Sequence, residues 1–200
     1  EIGRLAEKLG ADIDAVAKGI GLDQRIGKRF LNAGLGWGGS CFGKDTAALV
    51  ATARDYKLDM PIIESARQVN YSQRTLIVDR LQEKLKILKG KHVTLLGFSF
   101  KPNTDDLRDA PSIDISKVLI QRGALVRAHD PVALENARRQ YKDLGVVFCD
   151  TVAEALKGAE AIILVTEWPQ YRDLDWSAIK AVPIVDGRNF LDREALEQLG

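Results

Sequence analysis

The chain has 200 residues, a formal net charge of +1, and ordinary shares of hydrophobic (46%) and charged (28%) residues. These values indicate one or two folded domains and give no support to a nucleic-acid partner or a membrane-surface role. No apolar run approaches the roughly 20 residues of a membrane span. The two cysteines have no metal-ligand spacing and are too few for a disulfide scaffold, so we expect a reduced, cytoplasmic protein without a metal site.

The first segment, "EIGRLAEKLG", has helical periodicity from its first letter but neither a capping residue nor an initiator Met. We therefore expect a piece of a longer protein that is cut within a helix. Gly10 is predicted to end this helix, and Asp12 is predicted to cap the next one.

Residues 22–40 mix charge, aromatic side chains and glycine without a period, which predicts a long ordered loop of the functional kind. A helix is predicted from Cys41 to Tyr56, and Pro61 opens a longer connecting helix that runs to Leu85. We assign residues 1–88 to a central helical region. Its apolar helix faces have no predicted sheet to cover them, so we expect a homodimer through these central helices.

From Lys91 onward, short β-rich runs alternate with amphipathic stretches. The predicted strands are "HVTLLGF", "LVRAHD", "VVFCD", "AIILVT" and "PIVDG"; the clearest helices between them are "SIDISKVLIQRG" and "TVAEALKGA". Continuous apolar strands that alternate with helices predict a parallel sheet covered on both faces. The fold class is therefore α/β: a helical central region followed, over residues 89–200, by a Rossmann-like, doubly wound sheet of about five strands.

The turn after the first predicted strand, "GFSFKPNTDDLR", departs from the dinucleotide fingerprint G-x-G-x-x-G. Ser99 and Pro102 replace the second and third glycines, so we do not expect this sheet to hold a dinucleotide in the usual way. Phe100, Lys101 and Arg108 would suit a nucleotide that carries phosphates. An ordinary solvated loop explains the same residues equally well.

The stretch "GWGGSCFGKD" places Cys41 after a glycine-rich loop, where a helix begins. With Ser40 as the cap, Cys41 would lie in the first turn, where the helix dipole and the nearby Lys44 favour a thiolate. Asp45, four residues on, can face the same side. This arrangement suggests covalent catalysis by Cys41 with Asp45 handling water. The alternative, a small buried core residue, fits Cys149 better.

The motifs "RIGKRFLNAGLGWGGSCFGKD", "GFSFKPNTDDLRDAPS" and "VDGRNFLD" closely resemble the UDP-glucose/GDP-mannose dehydrogenase family. The resemblance covers essentially the whole chain, which is similar to the family's central helical region and its C-terminal nucleotide-sugar domain. The resemblance also implies that the family's N-terminal NAD-binding domain is absent, with its catalytic Lys and Asn and its general-base Glu upstream of Glu1.

What this resemblance implies is an NAD-dependent, four-electron oxidation of UDP-glucose to UDP-glucuronate. Cys41 would form a thiohemiacetal and then a thioester, which water hydrolyses with Asp45 as its partner. The chain by itself would be inactive. A GDP-mannose or UDP-N-acetylhexosamine dehydrogenase, and a non-catalytic module that binds nucleotide sugars and dimerises, stay open as alternatives.

The resemblance also implies the site residues. The substrate would be contacted by Arg25, reaching across a dimer interface, and by Phe30, Leu31, Asn32, Ala33, Gly34, Gly38, Phe100, Lys101 and Arg188. NAD held by the missing domain would contact Lys44 and Arg108. The chain departs from the family pattern in two places: Trp37 stands where many members have Tyr or Phe, and Gly43 where many have Pro.

Overall fold

The computed structural model describes residues 1–179 and 182–198. The chain divides into two compact units, residues 1–34 and residues 35–200. The predicted nucleotide-sugar region includes residues 180–181 and 199–200, which lie outside the described residues.

The first unit contains two short helices, α1 (Ile2–Leu9) and α2 (Ile13–Gly21), followed by turns up to residue 34. Gly10 ends α1 in the left-handed conformation (φ 67°), which glycine adopts without strain. The carboxylate of Asp12 accepts the Asp14 backbone N–H at 2.9 Å and so caps α2. Both caps confirm the sequence prediction.

The second unit opens with two longer helices, α3 (Phe42–Asp55) and α4 (Pro61–Leu85). Pro61 occupies the first turn of α4, where its missing N–H costs no helical hydrogen bond. The inward face of α4 joins the main core through Ile77, Val78 and Leu81. The same helix also buries polar side chains, which are described with the site.

A sheet of five strands follows, and its strands agree closely with the predicted ones. They are β1 (His92–Leu96), β2 (Leu125–His129), β3 (Val146–Phe148), β4 (Ala161–Leu164) and β5 (Ile184–Asp186). The spatial order is β3-β2-β1-β4-β5, and every pairing is parallel. In the centre, Leu95 of β1 pairs with Ala128 of β2 and Ile163 of β4. The Rossmann-like α/β prediction is confirmed.

The crossovers carry α5 (Pro111–Gln121), α6 (Leu134–Gln140), α7 (Val152–Leu156) and α8 (Pro169–Arg172); a 3₁₀ turn (Trp176–Ala178) precedes β5 and α9 (Arg193–Glu197) follows it. Apolar residues fill both faces of the sheet. Val93 and Leu95 face a core shared with α4 and α5, whereas Leu96 packs with Trp168 and Tyr171 on the other face. Across the described ranges, no helix is both long and apolar enough to cross a membrane.

Candidate active site

Cys41 is exposed at the position immediately before α3. It is the N-cap residue itself, and no side-chain bond caps this helix, so the prediction that Ser40 caps α3 is wrong. Ser40 Oγ instead lies 3.6 Å from Cys41 Sγ. The Cys41 carbonyl accepts the Asp45 N–H at 2.8 Å, which places Asp45 one helical turn further on. The thiol therefore stands at the positive end of a 14-residue helix.

A cleft of about 410 Å³ opens beside this helix start. Its lining consists of Gly39, Ser40, Gly43, Lys44, Tyr71, Arg108 and Asp109. The ammonium group of Lys44 lies 3.3 Å from an Asp45 carboxylate oxygen, and both side chains are largely exposed. The cleft thus brings two cations, Lys44 and Arg108, to the helix end at which Cys41 is found.

Arg108 forms a bidentate ion pair with Asp106 beside this cleft. Its Nε and Nη2 donate to the carboxylate oxygens at 3.0 and 2.7 Å. This side-chain bond is the main reason that the pKa of Arg108 is raised, and the negative charge of a Cys41 thiolate acts in the same direction. The same ion pair lowers the pKa of Asp106. Arg108 is therefore a permanent cation within electrostatic reach of Cys41.

Residues 36–43, here named the thiol loop, need their glycines for close packing. A Cβ on Gly38 would lie 2.5 Å from the Asp109 carbonyl oxygen, and one on Gly39 would lie 2.9 Å from the Phe100 ring. Gly39 also has φ +89° and donates its N–H to the Arg108 carbonyl at 2.8 Å. These contacts join the thiol loop to the segment that follows β1.

Phe100 and Lys101 lie together on that segment. The Lys101 ammonium is 5.3 Å from the centre of the Phe100 ring, and the Lys101 side chain is exposed. An exposed cation above an aromatic face is suited to a nucleotide phosphate or base. The two side chains are thus neighbours in the structure, and their role in binding stays a prediction.

Arg188, predicted to face the substrate, is mostly buried after β5. Its Nε donates to the Val165 carbonyl at 2.8 Å and lies 3.2 Å from a carboxylate oxygen of Glu167. Its Nη1 is 3.5 Å from the Gly36 carbonyl of the thiol loop. Burial lowers the pKa of Arg188, and the negative charges of Glu167 and Asp186 partly offset this shift.

The other predicted substrate residues belong to the first unit. Arg25 is exposed and forms a two-pronged ion pair with Asp23, with Nη2 at 2.6 Å from the nearer carboxylate oxygen. Phe30 is fully exposed with φ +64°, an uncommon conformation for a residue with a side chain. Leu31, Asn32, Ala33 and Gly34 follow it without regular structure and are exposed or half-buried.

Three polar side chains of α4 hold the thiol loop, and the sequence analysis missed them. They are Arg67, Asn70 and Arg74, which recur along the buried face of the helix. Asn70 and Arg74 bind the backbone of Trp37, and Arg67 binds the carbonyl of Gly43. The sequence feature that could have identified them is the presence of polar residues at core positions of an otherwise amphipathic helix.

The turn after β1, residues 97–99 and here named the β1 turn, is sealed by a buried carboxylate. Asp130, at the end of β2, accepts the backbone N–H groups of Phe98 and Ser99 at 2.7 and 2.9 Å. The Trp168 indole donates to the same oxygen at 3.2 Å. Because these amides are occupied, they are not available to a pyrophosphate, which agrees with the missing glycine fingerprint.

Cys149 differs sharply from Cys41. It is buried just after β3, and burial raises the pKa of its thiol. A structural role for Cys149 agrees with the sequence interpretation. Within residues 1–179 and 182–198, no group of three or more His, Cys, Asp or Glu side chains could hold a metal ion.

Two family models match the chain. The UDP binding domain of the UDP-glucose/GDP-mannose dehydrogenase family matches residues 94–193, and that family's central domain matches residues 1–72. The chain belongs to the UDP-glucose/GDP-mannose dehydrogenase family. This membership confirms the resemblance that the motifs indicated.

Relatives of this dehydrogenase family match nearly the whole chain. UDP-glucose 6-dehydrogenase of Rickettsia felis is 40% identical over 205 residues, a match that spans 100% of this chain and 46% of that protein. A UDP-glucose 6-dehydrogenase of Bacillus subtilis is 44% identical, over 94% of this chain and 44% of that protein. The structure of a UDP-glucose dehydrogenase from Pyrobaculum islandicum superposes with a TM-score of 0.89 at 41% identity, over 94% of this chain and 43% of that one. The chain thus spans about half the length of these relatives.

Proposed function

We propose that the complete protein carrying this chain oxidises UDP-glucose to UDP-glucuronate, with Cys41 as the nucleophile. The observation that carries the proposal is the exposed Cys41 thiol at the start of α3, next to a cleft with two cations. The names of the relatives support UDP-glucose as the substrate. GDP-mannose and UDP-N-acetylhexosamines are the alternative substrates.

The chemistry assigned to Cys41 follows from the two-stage oxidation of an alcohol. Once the sugar C6 alcohol has become an aldehyde, the thiolate adds to the carbonyl carbon, and the thiohemiacetal that forms prevents escape of the aldehyde. Loss of a hydride from that carbon, together with the proton of its hydroxyl group, gives a thioester. A water molecule that Asp45 orients attacks the thioester, and the products are the carboxylate and the free thiol.

NAD is the hydride acceptor that this chemistry needs when it is bound. The β1 turn is a poor place for it, because Asp130 occupies the Phe98 and Ser99 amides. Lys44 and Arg108 fit one end of such a cofactor, since both cations line the cleft beside Cys41. We propose that the part of the protein outside this chain holds the rest of NAD, and that the 200-residue chain alone forms no NADH.

The substrate-binding residues are proposed from the family pattern. Lys101 and Phe100 would take the nucleotide, while Gly38 and the segment Phe30 to Gly34 would line the sugar site, with Arg25 reaching a second copy's substrate. Arg188 already donates to the Val165 carbonyl and forms an ion pair with Glu167, so we propose that it shapes the substrate side by holding Gly36.

A homodimer through the central helices is also proposed. The helices of the second unit expose large apolar side chains, among them Phe42, Leu49, Tyr56 and Ile62. Exposed apolar surface of this kind marks interaction sites. Sedimentation analysis of the chain is expected to give a dimer, and a strict monomer at high concentration would contradict this proposal.

Replacement of the nucleophile tests the proposed function. In the complete protein, Cys41→Ser is expected to leave UDP-glucose affinity within about threefold of the original, because a hydroxyl is close to a thiol in size. Turnover should fall by roughly three powers of ten or more, since a serine without an activating base is a weak nucleophile. A panel of UDP-glucose, GDP-mannose and UDP-N-acetylhexosamines identifies the substrate. Near-normal turnover of the Cys41→Ser variant, or no turnover of any of these by the unsubstituted protein, would contradict the proposal.

A further inference from the structure

We propose that Arg74, with Asn70 one turn before it, is a positioning residue for Cys41: the two side chains fix the backbone of the thiol loop through Trp37. The inference rests on the proposed function, in which Cys41 is the nucleophile. Neither side chain touches the thiol. Both act through the backbone that carries it.

Asn70 pairs with Trp37 as a neighbouring backbone strand would. The Trp37 N–H donates to Asn70 Oδ1 at 2.7 Å, and Asn70 Nδ2 donates to the Trp37 carbonyl at 3.3 Å. Asn70 is only 3% exposed, so these bonds are shielded from competing water. The amide group therefore fixes both polar atoms of one peptide residue, four positions before Cys41.

Arg74 adds a charged bond to the same carbonyl. Its Nη2 donates to the Trp37 carbonyl at 2.8 Å, while its Nη1 donates to carboxylate oxygens of Asp109 and Asp114, each at 2.7 Å. Burial works to lower the pKa of Arg74, but the bonds to the two carboxylates outweigh it and the pKa is raised. At 2% exposure, Arg74 is a buried cation, and its two terminal nitrogens bind these partners.

The far end of the thiol loop is held from the same helix. Arg67 donates to the Gly43 carbonyl, and also to Thr46 Oγ1 at 2.6 Å. Between these two fixed ends lies Cys41, whose exposed Sγ is 3.6 Å from Ser40 Oγ. The position of the thiol consequently depends on anchors that bind the backbone on either side of it.

Arg74 also joins the thiol loop to the segment that carries Arg108. Asp109, its partner, comes directly after Arg108 and has φ +51°, in the left-handed region. The Asp109 side chain also lies 3.1 Å from the place that a Cβ of Gly43 would occupy. The Arg74 guanidinium thereby fixes the position of the thiol loop relative to the segment that carries Arg108.

Arg74→Lys in the complete protein separates positioning from simple stabilisation. The lysine keeps a positive charge opposite Asp109 and Asp114, so the fold is not left with two unpaired carboxylates, as it would be in Arg74→Ala. In arginine, one terminal nitrogen binds the two carboxylates and the other binds the Trp37 carbonyl. The single ammonium of lysine cannot reproduce this fork. We expect kcat to fall at least tenfold while KM for the nucleotide sugar stays within threefold, because Phe100 and Lys101 are untouched.

Arg122→Lys is the matched control. Arg122 is half-buried and uses the same fork to bind α4, with Nη1 on Gln82 Oε1 at 2.8 Å and Nη2 on Asp79 Oδ1 at 2.6 Å. It does not contact the thiol loop. We expect the control to keep kcat within twofold, even where its melting temperature falls as much as that of Arg74→Lys.

Alkylation of Cys41 by iodoacetamide, followed by peptide mass spectrometry well below the melting temperature, gives a readout that does not depend on turnover. We expect the rate constant at pH 7 to fall at least threefold in Arg74→Lys, because a loosened loop moves the thiol away from the helix end and Arg108. A rate constant within twofold of that of Arg122→Lys would overturn the positioning role. If the unsubstituted protein turns over no nucleotide sugar, the proposed function fails, and this alkylation comparison still decides the positioning role.

Discussion

The thiol loop and the β1 turn are both glycine-bearing segments held by buried polar side chains, yet one presents a reactive group and the other is closed. In the β1 turn, the Asp130 carboxylate takes up backbone N–H groups, so no donor of Phe98 or Ser99 points to solvent. In the thiol loop, the α4 side chains bind Trp37 and Gly43 and leave Cys41 exposed. The comparison teaches that the groups bound by the buried side chains decide whether a loop is closed or presents a reactive side chain to solvent.

Loss of the Asp130 carboxylate should give the largest change in stability. Asp130 is 0% exposed, and Asp130→Ala would leave the N–H groups of Phe98, Ser99, Val132 and Ala133 without this acceptor, the first two and the last of them at buried positions. We expect the free energy of unfolding to fall by at least about 3 kcal/mol, because buried unsatisfied donors are costly. Urea unfolding measures this loss. The exposed Asp150, which pairs with Arg138 at 2.7 Å, is the control, and Asp150→Ala should cost under about 1 kcal/mol.

A loss below 1 kcal/mol for Asp130→Ala would show that the β1 turn does not depend on its carboxylate. The statement that this buried carboxylate closes the β1 turn would then be wrong.

A side chain added to the thiol loop should affect turnover more than folding. Gly38→Ala places a Cβ within 2.5 Å of the Asp109 carbonyl oxygen, so the loop must shift. Displacement of a nucleophile by about 1 Å can cost about a hundredfold in rate, and we expect a loss of that order in kcat. The measurement is steady-state turnover of the complete protein, normalised to folded protein by circular dichroism.

Gly19→Ala is the matched control, since none of the residues that the structure describes lies within 4 Å of a Cβ at that position of α2. It should leave kcat unchanged and favour its helix slightly. Equal turnover of the Gly38→Ala and Gly19→Ala variants would show that the close packing of the thiol loop is unimportant to the reaction.

The smallest expected effect concerns His129, the last residue of β2, which is hydrogen-bonded to the β1 turn. Its carbonyl accepts the Gly97 N–H at 2.8 Å, and its ring Nδ1 is 2.9 Å from the Tyr171 hydroxyl. Burial lowers the pKa of His129, although Asp130 and Asp150 oppose the shift. The unfolded chain therefore binds this proton more readily than the folded one, and stability should fall as pH drops through the unfolded value of about 6.5.

Thermal melts between pH 7.5 and pH 5.5 measure this dependence. The melting temperature should fall less with decreasing pH in His129→Asn than in the unsubstituted chain. An identical pH dependence in the two proteins would show that protonation of His129 does not oppose folding.

The sequence predicted most of the fold because its signals are local. The five strands are short apolar runs between helical segments, and Gly10 and Asp12 mark helix ends through their own backbone and side-chain chemistry. The short helix α6 was not named from the sequence, because its N-cap residue, Ala133, gives no side-chain capping signal. The Ser40 cap was predicted wrongly because the prediction relied on the capping preference of serine. In the structure the helix begins one residue later, with Cys41 as its N-cap.

The support of the site could not be predicted, because it joins distant parts of the chain. Trp37 meets Asn70 and Arg74 across 33 and 37 positions, and Asp130 reaches back 32 positions to Phe98. No periodicity or motif specifies which carbonyl a buried guanidinium will bind. The family resemblance supplied Cys41 and its chemical role, whereas the anchors became visible only in three dimensions.

The most direct test of the central claim, that the thiol loop presents Cys41 as a covalent nucleophile, is to trap the intermediate. In the complete protein, Asp45→Asn should slow thioester hydrolysis because its carboxylate no longer orients water. Acid quenching during turnover of UDP-glucose with NAD, followed by peptide mass spectrometry, should then reveal a UDP-glucuronyl adduct on Cys41 that hydroxylamine removes. Rapid formation of UDP-glucuronate with Cys41 unmodified throughout, or an adduct on a different residue, would contradict the account.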